Sequence, residues 1–383
     1  MIDNAIQGSL AAGFDSVRDV FTAIAESEGA GYAAQVVAYR HGERVVDLWT
    51  GPGITERSLF GAYSASKGAA HLVVARLVRD GVLDLDQPVA YYWPEFAVHG
   101  KQDILLRDLL AHRAGLAGAD TGFTVEELAD DRAIAERLGA QRPYWRPSSA
   151  FGYHALVAAA LSGEVVRRAT GQSVQSLFAK LIGEPYDVDF HFGLTDEQES
   201  RFVPTLPVIM TPEMQAEATA QATGPNSLSG IAFNRNNPDG PLVWELPNLD
   251  VIRKQGPASL GGVASADGLA RMYAAAISSL NGLAPLLDAE TIAAVGQIHS
   301  IGYDLVNRSQ KAFTAGFHAT SEYYPVLGQG SFGHSGAGGQ QAFADPRNGI
   351  AFGFTRRRFP FPAGPGRDCE LLIPAIYDAI MRS

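Results

Sequence analysis

A serine and a lysine stand three residues apart in Tyr63-Ser64-Ala65-Ser66-Lys67, just before an apolar run from Gly68 to Val78. Residues with this spacing share one face of a helix, so the lysine amine can reach the serine hydroxyl if a helix begins here. Serine needs a neighbouring base to act as a nucleophile, and burial favours the neutral amine of lysine. The alternative is a helix-capping serine with a solvated lysine, which the pentapeptide taken alone favours. Against that alternative, only Lys67 among the five lysines has a serine three residues before it.

Two further stretches carry side chains that could transfer protons or bind a substrate. Tyr153 precedes a helical pattern, and its phenol either packs with its hydroxyl in water or relays a proton. His334 lies in Gly333-His334-Ser335-Gly336-Ala337, which is either a glycine-rich turn or a strand edge that lends a backbone N–H to a cleft. Ser335 is a poor nucleophile candidate, because the second glycine of a Gly-x-Ser-x-Gly elbow falls one place early and no strand-turn-helix context follows.

The elements that must position these residues are strands near both ends of the chain and helices between them. Helical patterns cover residues 10–28, 64–80, 125–138, 155–170, 266–280 and 371–381, and strand patterns cover 33–39, 44–49, 312–319, 341–345 and 350–355. We predict an α+β fold with one antiparallel sheet built from both chain ends, flanked by helices. Residues 1–82 and 285–383 are expected to form this α/β domain, and residues 83–284 a mostly helical domain with long loops. The active site is expected at their junction.

Composition narrows the possible partners. A net charge of −11 over 383 residues disfavours nucleic-acid binding. Cys369 is the single cysteine, which excludes an internal disulfide and fits a reducing compartment. Residues 1–5 lack a basic, apolar signal sequence, and the chain has no apolar stretch of about 18 residues, so we expect a cytoplasmic protein without a membrane partner. The histidines are scattered and no dinucleotide fingerprint occurs, so we expect neither a metal nor a cofactor.

Taken together, these stretches resemble the serine hydrolases of the class C β-lactamase and penicillin-binding-protein superfamily, and within it the family VIII carboxylesterases. The resemblance spans nearly the whole chain. It rests on Ser64-Ala65-Ser66-Lys67, Leu83 to Val89, Leu106 to Leu116, Tyr153-His154-Ala155, Thr170-Gly171, Gly261 to Ala270 and His334-Ser335-Gly336.

The resemblance implies a β-lactamase/transpeptidase-like fold and an acyl-enzyme on Ser64, with Lys67 and Tyr153 as its base system. How these two share the proton stays open. The resemblance also implies an oxyanion hole made by the backbone N–H groups of Ser64 and Ala337. It implies substrate contacts at His334, Ser335, Gly336 and Ala155. Aromatic residues of the neighbouring loops are candidates to line the cleft, namely Phe123, Tyr144, Trp145 and Trp244.

Two departures from the family pattern bear on the substrate. Ala155 stands where the family has an asparagine that binds a substrate amide, and His334 replaces a lysine that attracts a substrate carboxylate. Both point to small, short-acyl esters rather than anionic amides. Open alternatives are an amide hydrolase of the β-lactamase or D-aminopeptidase type, an acyltransferase, and a non-catalytic binding protein. The oligomeric state stays open as well.

Overall fold

Strands from both ends of the chain form one large antiparallel sheet in the computed structural model, which describes residues 5–382. Within these residues the sheet has nine strands in the order β1-β3-β2-β12-β11-β10-β9-β8-β7, and a smaller sheet has the order β4-β6-β5. The strands are β1 (Gln7–Leu10), β2 (Ala34–Arg40), β3 (Glu43–Thr50), β4 (Phe60–Gly61), β5 (Phe190–Phe192), β6 (Gly262–Ala264), β7 (Ser300–Asp304), β8 (Ser309–Phe313), β9 (His318–Ala319), β10 (Phe332–Ser335), β11 (Gln341–Asp345) and β12 (Ile350–Arg356).

Helices cover both faces of the large sheet and form most of the middle of the chain. They are α1 (Asp15–Glu28), α2 (Ala65–Arg79), α3 (Val89–Tyr92), α4 (Leu106–Leu110), α5 (Val125–Ala129), α6 (Asp131–Ala140), α7 (Ala158–Thr170), α8 (Val174–Phe178), α9 (Glu184–Tyr186), α10 (Asp196–Glu199), α11 (Pro212–Gln221), α12 (Leu228–Ala232), α13 (Asp250–Gln255), α14 (Ala266–Ile277), α15 (Ala289–Gly296) and α16 (Arg367–Arg382). Shorter helical turns lie at Pro94–Phe96, Ala179–Gly183, Val243–Asn248 and Thr320–Glu322.

The central strand β2 shows why the sheet needs helices on both faces. Its side chains alternate between faces, as the period of a strand requires. Val36 and Ala38 join the apolar cluster that contains α1 and α16, whereas Val37 and Tyr39 join the cluster that contains α2 and α14. Because both sets are buried, these four successive residues are all apolar, and the strand pairs with β12 to unite the two ends of the chain.

The predicted α+β class, with one antiparallel sheet built from both chain ends, is confirmed, and several element boundaries differ. The helix expected over residues 125–138 is divided at Asp130, whose side chain accepts a hydrogen bond from Arg132 N and caps the second helix. The strand expected over residues 312–319 is divided by a turn in which Thr314 N donates to Phe317 O at 2.8 Å. Strands β1, β4, β5, β6 and β7 were not predicted. Each is short or interrupted by glycine, which leaves no clear alternating pattern.

The proposed division into residues 1–82 with 285–383 and residues 83–284 stays a prediction. Helix α14, from the second segment, packs on β2 and β12. None of the helices between residues 5 and 382 combines the length and apolar character that crossing a membrane requires. Met1 to Asn4, on which the expectation about a signal sequence rests in part, lie outside the described residues.

Candidate active site

Ser64 lies at the N-terminus of α2, where its hydroxyl points to a lysine instead of capping the helix. It occupies the N-cap position but makes no side-chain capping hydrogen bond. Lys67 Nζ lies 3.1 Å from Ser64 Oγ, as the helical spacing predicts. The preceding Tyr63 adopts a left-handed φ of 49°, which is uncommon for a non-glycine residue. Its hydroxyl donates to Trp244 O at 2.9 Å, and this contact holds the turn that presents Ser64.

Lys67 is fully buried, and its amine is held from two sides. Besides Ser64 Oγ, Lys67 Nζ contacts Ser259 O as a donor at 2.8 Å. Ser259 Oγ accepts hydrogen bonds from Ala159 N and Ala160 N, so the same residue also anchors the start of α7. Burial holds the pKa of Lys67 well below its ordinary value, because the charged amine would lose its hydration. A larger share of neutral amine is therefore available beside Ser64.

Tyr153 lies in the segment before α7 and is fixed through its backbone and its ring. Tyr153 N donates to both carboxylate oxygens of Asp304 at 3.2 Å, and its ring stacks on Phe313 with centroids 5.8 Å apart. Burial raises the pKa of Tyr153, a hydrogen bond with Ser64 lowers it, and the Asp304 carboxylate raises it further. Lys67 Nζ lies 5.2 Å from the centre of the tyrosine ring. The structure thus brings Ser64, Lys67 and Tyr153 together.

His334 is buried on β10, next to a second imidazole. His334 Nδ1 donates to Ser335 O at 2.9 Å, and its Nε2 has no hydrogen-bond partner among residues 5–382. The His318 ring lies 4.2 Å away between centroids, and the Tyr153 ring lies 6.1 Å away. Burial, then His318 and then Lys67 hold the pKa of His334 well below its usual value. The ring is therefore a neutral polar group behind the tyrosine, not a cation.

The loop between β10 and β11 brings backbone N–H groups toward Ser64. A Cβ atom on Gly336 would lie 2.6 Å from Ala62 O and 2.5 Å from Gln340 Oε1, so only glycine allows this approach. In the part of the chain that the structure describes, Ser64 N and Ala337 N donate no hydrogen bond, while Ala337 O accepts one from Gly364 N. The two N–H groups that the resemblance assigns to an oxyanion hole are thus available.

A cavity of about 370 Å³ opens at Ser64 and Tyr153. Its other lining residues are Phe233, Asn307, Lys311, His318, Thr320, Tyr323, Tyr324, Ser335, Gly336, Ala337, Gln341, Ala363, Gly364, Pro365 and Glu370. Two larger surface clefts, of about 750 and 780 Å³, contain neither Ser64 nor Tyr153. We assign the smaller cavity as the candidate active site because the nucleophile candidate opens into it.

Three predicted substrate contacts, His334, Trp145 and Ala155, lie outside this lining. Trp145 donates its indole N–H to Ala150 O at 3.1 Å and packs with its ring 6.0 Å from His154, so it supports the segment that carries Tyr153. Ala155 belongs to that segment itself, and it is buried. Phe123, Tyr144 and Trp244, the other aromatic candidates, also lie outside the lining, and the aromatic wall consists of Tyr153, Phe233, Tyr323 and Tyr324.

Sequence reasoning did not identify Lys311, His318 or Tyr323. They come from β8, β9 and the turn after β9, which reach the cavity only because the sheet places these strands beside β10. The sequence carries no motif around them, and Lys311 follows the strand alternation like any solvated lysine. They can be identified only from the tertiary structure, which pairs these distant segments of the chain.

Comparison with known proteins agrees with this fold and this arrangement. The family model described as Beta-lactamase matches residues 17–368. The esterase/beta-lactamase LipL of Mycobacterium tuberculosis is 31% identical over 343 residues, which cover 85% of this chain and 77% of LipL.

Solved structures show the same similarity in three dimensions. EstA from Arthrobacter nitroguajacolicus has a TM-score of 0.90 at 37% identity, with 99% of both chains covered. A structure described as a family VIII carboxylesterase has a TM-score of 0.86 at 30% identity, covering 98% of this chain and 100% of that one. The architecture is thus that of the β-lactamase and penicillin-binding-protein superfamily, as the motifs indicated. The chain belongs to the beta-lactamase family.

Proposed function

We propose that the protein is a carboxylesterase that cleaves small, short-acyl esters through an acyl-enzyme on Ser64. The observation that carries the proposal is the buried Lys67 amine, 3.1 Å from Ser64 Oγ at the wall of a cavity. Burial favours the neutral amine, and a neutral amine is the base that serine requires. The relatives described as esterases support the same chemistry.

Acylation begins when Ser64 Oγ attacks the ester carbonyl and loses its proton to the pair formed by Lys67 and Tyr153. The carbonyl oxygen becomes an oxyanion, which the N–H groups of Ser64 and Ala337 stabilise by hydrogen bonds. The N-terminal end of α2 adds its partial positive charge at the same place. Preorganised donors of this kind are worth about 10²–10³ in rate each.

Collapse of the tetrahedral intermediate breaks the bond to the alcohol oxygen, and Lys67 and Tyr153 return the proton to that oxygen. Water then attacks the acyl group on Ser64 while the same pair takes a proton from the water. The second intermediate expels Ser64 Oγ, which takes that proton back from Lys67 and Tyr153, and the carboxylic acid leaves. Tyr153 suits the relay to the leaving group, because its raised pKa keeps the phenol protonated.

The residue at position 155 favours an ester over an amide as the substrate. An amide N–H would need an acceptor where the family has an asparagine, and position 155 offers only a buried methyl group. An ester has no such N–H to satisfy, and its alcohol is a better leaving group. A cytoplasmic location, favoured by the single cysteine, and the two-segment domain division are part of the same proposal.

The test is a panel of p-nitrophenyl esters with acyl chains of increasing length, together with a chromogenic cephalosporin, on the wild type and Ser64→Ala. We expect the wild type to hydrolyse the short esters faster than the long ones. Ser64→Ala should lose about 10³-fold or more in kcat. Intact-protein mass spectrometry after a slow ester should show an acyl adduct on the wild type alone. An adduct that survives Ser64→Ala, or cephalosporin opening without ester hydrolysis, would refute the proposal.

A further inference from the structure

Lys311 points into the cavity that contains Ser64. It lies on β8, two residues before Phe313, and side chains two apart on a strand share one face of the sheet. Phe313 stacks on the Tyr153 ring, with centroids 5.8 Å apart. Lys311 therefore faces the side of the sheet that carries Tyr153, and it lines the same cavity. Opposite Lys311 in the strand register stands Gly302, which leaves the space beside the lysine open.

The neighbours of Lys311 hold it in place but do not neutralise it. Lys311 Nζ lies 5.3 Å from the centre of the Tyr323 ring, a cation–π contact. The Tyr323 hydroxyl accepts a hydrogen bond from Ala312 N at 3.1 Å, which fixes that ring against β8. Among residues 5–382, no carboxylate forms an ion pair with Lys311, and its ammonium makes no hydrogen bond.

The charges around the cavity leave this ammonium without a dedicated partner. Asp304 is the carboxylate that acts on Lys311, but its oxygens already accept hydrogen bonds from Tyr153 N, Val306 N and Asn307. Asp304 is not part of the cavity lining; the acidic residue among the described lining residues is Glu370, and its side chain is exposed. Burial lowers the pKa of Lys311, which shows that the charged form has lost hydration without full compensation.

From this arrangement we propose that Lys311 binds a carboxylate of the substrate, so that the enzyme prefers esters that carry a negative charge on the acyl or the alcohol part. This inference rests on the proposed esterase function. A carboxylate would give the half-buried ammonium the charged partner that it lacks, and charge-assisted hydrogen bonds are stronger than neutral ones. Lys311 on β8 thus supplies a positive charge in place of the lysine that His334 replaces.

The test compares two matched pairs of esters. In the first pair the acyl part carries the charge: mono-p-nitrophenyl glutarate against p-nitrophenyl hexanoate. In the second pair the alcohol part carries it: p-acetoxybenzoate against p-acetoxybenzamide. The quantity measured is the ratio of kcat/KM for the anionic ester to kcat/KM for its neutral partner. Because both kcat/KM values are measured on the same variant, a general loss of activity cancels from their ratio.

We expect the ratio for one pair to fall about 10- to 100-fold in Lys311→Met, the range of a charge-assisted hydrogen bond. Lys311→Arg should keep most of the wild-type ratio. Lys180→Met, at an exposed lysine outside the cavity, should leave it unchanged. Lys311→Gln provides the same comparison if Lys311→Met does not fold.

Two different failures can be distinguished. If the wild type hydrolyses the neutral esters through Ser64 but the ratio for both pairs changes by less than about twofold in Lys311→Met, the role of Lys311 is refuted and the esterase function stands. If the wild type hydrolyses none of the four esters and forms no adduct on Ser64, the esterase function is refuted, and the inference about Lys311 with it.

Discussion

The protonation state of Lys67 should control acylation, so kcat/KM should fall as the pH falls. Only the neutral amine can accept the proton of Ser64, and burial has already moved the pKa of Lys67 well below its ordinary value. The direction of the pH dependence of kcat/KM follows directly. Above the folded-state pKa the amine is neutral and the enzyme is active, and below that pKa the ammonium accumulates and kcat/KM declines.

The size of the effect follows from the neutral fraction. A solvated lysine with a pKa of about 10.4 is neutral in only about one molecule in 2,500 at pH 7, and each unit by which burial lowers the pKa raises that fraction tenfold. Removing a general base costs about 10²–10⁴ in rate. Lys67→Met and Lys67→Arg should therefore both lose about 10²–10⁴ in kcat/KM, since a guanidinium is not deprotonated in proteins.

The neighbouring imidazoles do not obscure this measurement. Burial lowers the pKa of His318 to about 3 and those of His71 and His154 to about 4, so these groups stay neutral above about pH 5. Burial raises the pKa of Asp304 above its ordinary value, and it raises the pKa of Asp131, which accepts a hydrogen bond from Ala258 N beside Ser259, to about 6. An acid limb that persists in both Asp304→Asn and Asp131→Asn belongs to Lys67.

The assay follows p-nitrophenol release from p-nitrophenyl acetate from about pH 5 to pH 9, with spontaneous hydrolysis subtracted. Absorbance is read at the isosbestic wavelength of p-nitrophenol and its anion, so that the signal does not depend on pH. Because kcat/KM reports the free enzyme, its midpoint reports the pKa of Lys67 without bound substrate. A flat profile, together with a Lys67→Met variant that keeps kcat/KM within about threefold of the wild type, would refute the reasoning.

Two further predictions test the elements around the site. Gly336→Ala should lower kcat/KM about 10²-fold, because its Cβ would meet Ala62 O at 2.6 Å and displace the loop that carries the Ala337 N–H. The control is Gly224→Ala, whose Cβ meets no atom within 4 Å. Unchanged kinetics in Gly336→Ala would contradict this prediction. Ser259→Ala should lower the free energy of unfolding in urea by about 1–3 kcal/mol, because it leaves two buried N–H groups of α7 without their acceptor. Equal stability in the two proteins would contradict that assignment.

The sequence alone determined the features that depend on local spacing. Ser64 and Lys67 meet because a helix places residues three apart on one face, and no distant contact is needed for that. Apolar runs at both chain ends predicted β2, β3, β11 and β12, because the side-chain pattern of a strand is also local and extends over only a few residues. The family motifs then indicated Tyr153 and the turn after His334 as neighbours of Ser64.

Only the tertiary structure decided what surrounds that pair. Whether Lys67 is buried depends on Ser259, which lies 192 residues away, and burial is what shifts its pKa. The aromatic residues of the cavity are not those of the predicted loops, because Trp145 packs behind the Tyr153 segment while Tyr323 reaches the cavity from the turn after β9. Lys311 shows the difference most clearly. Its sequence context is that of an ordinary strand lysine. It lines the cavity that contains Ser64 only because the order of the sheet places β8 near β9 and β10.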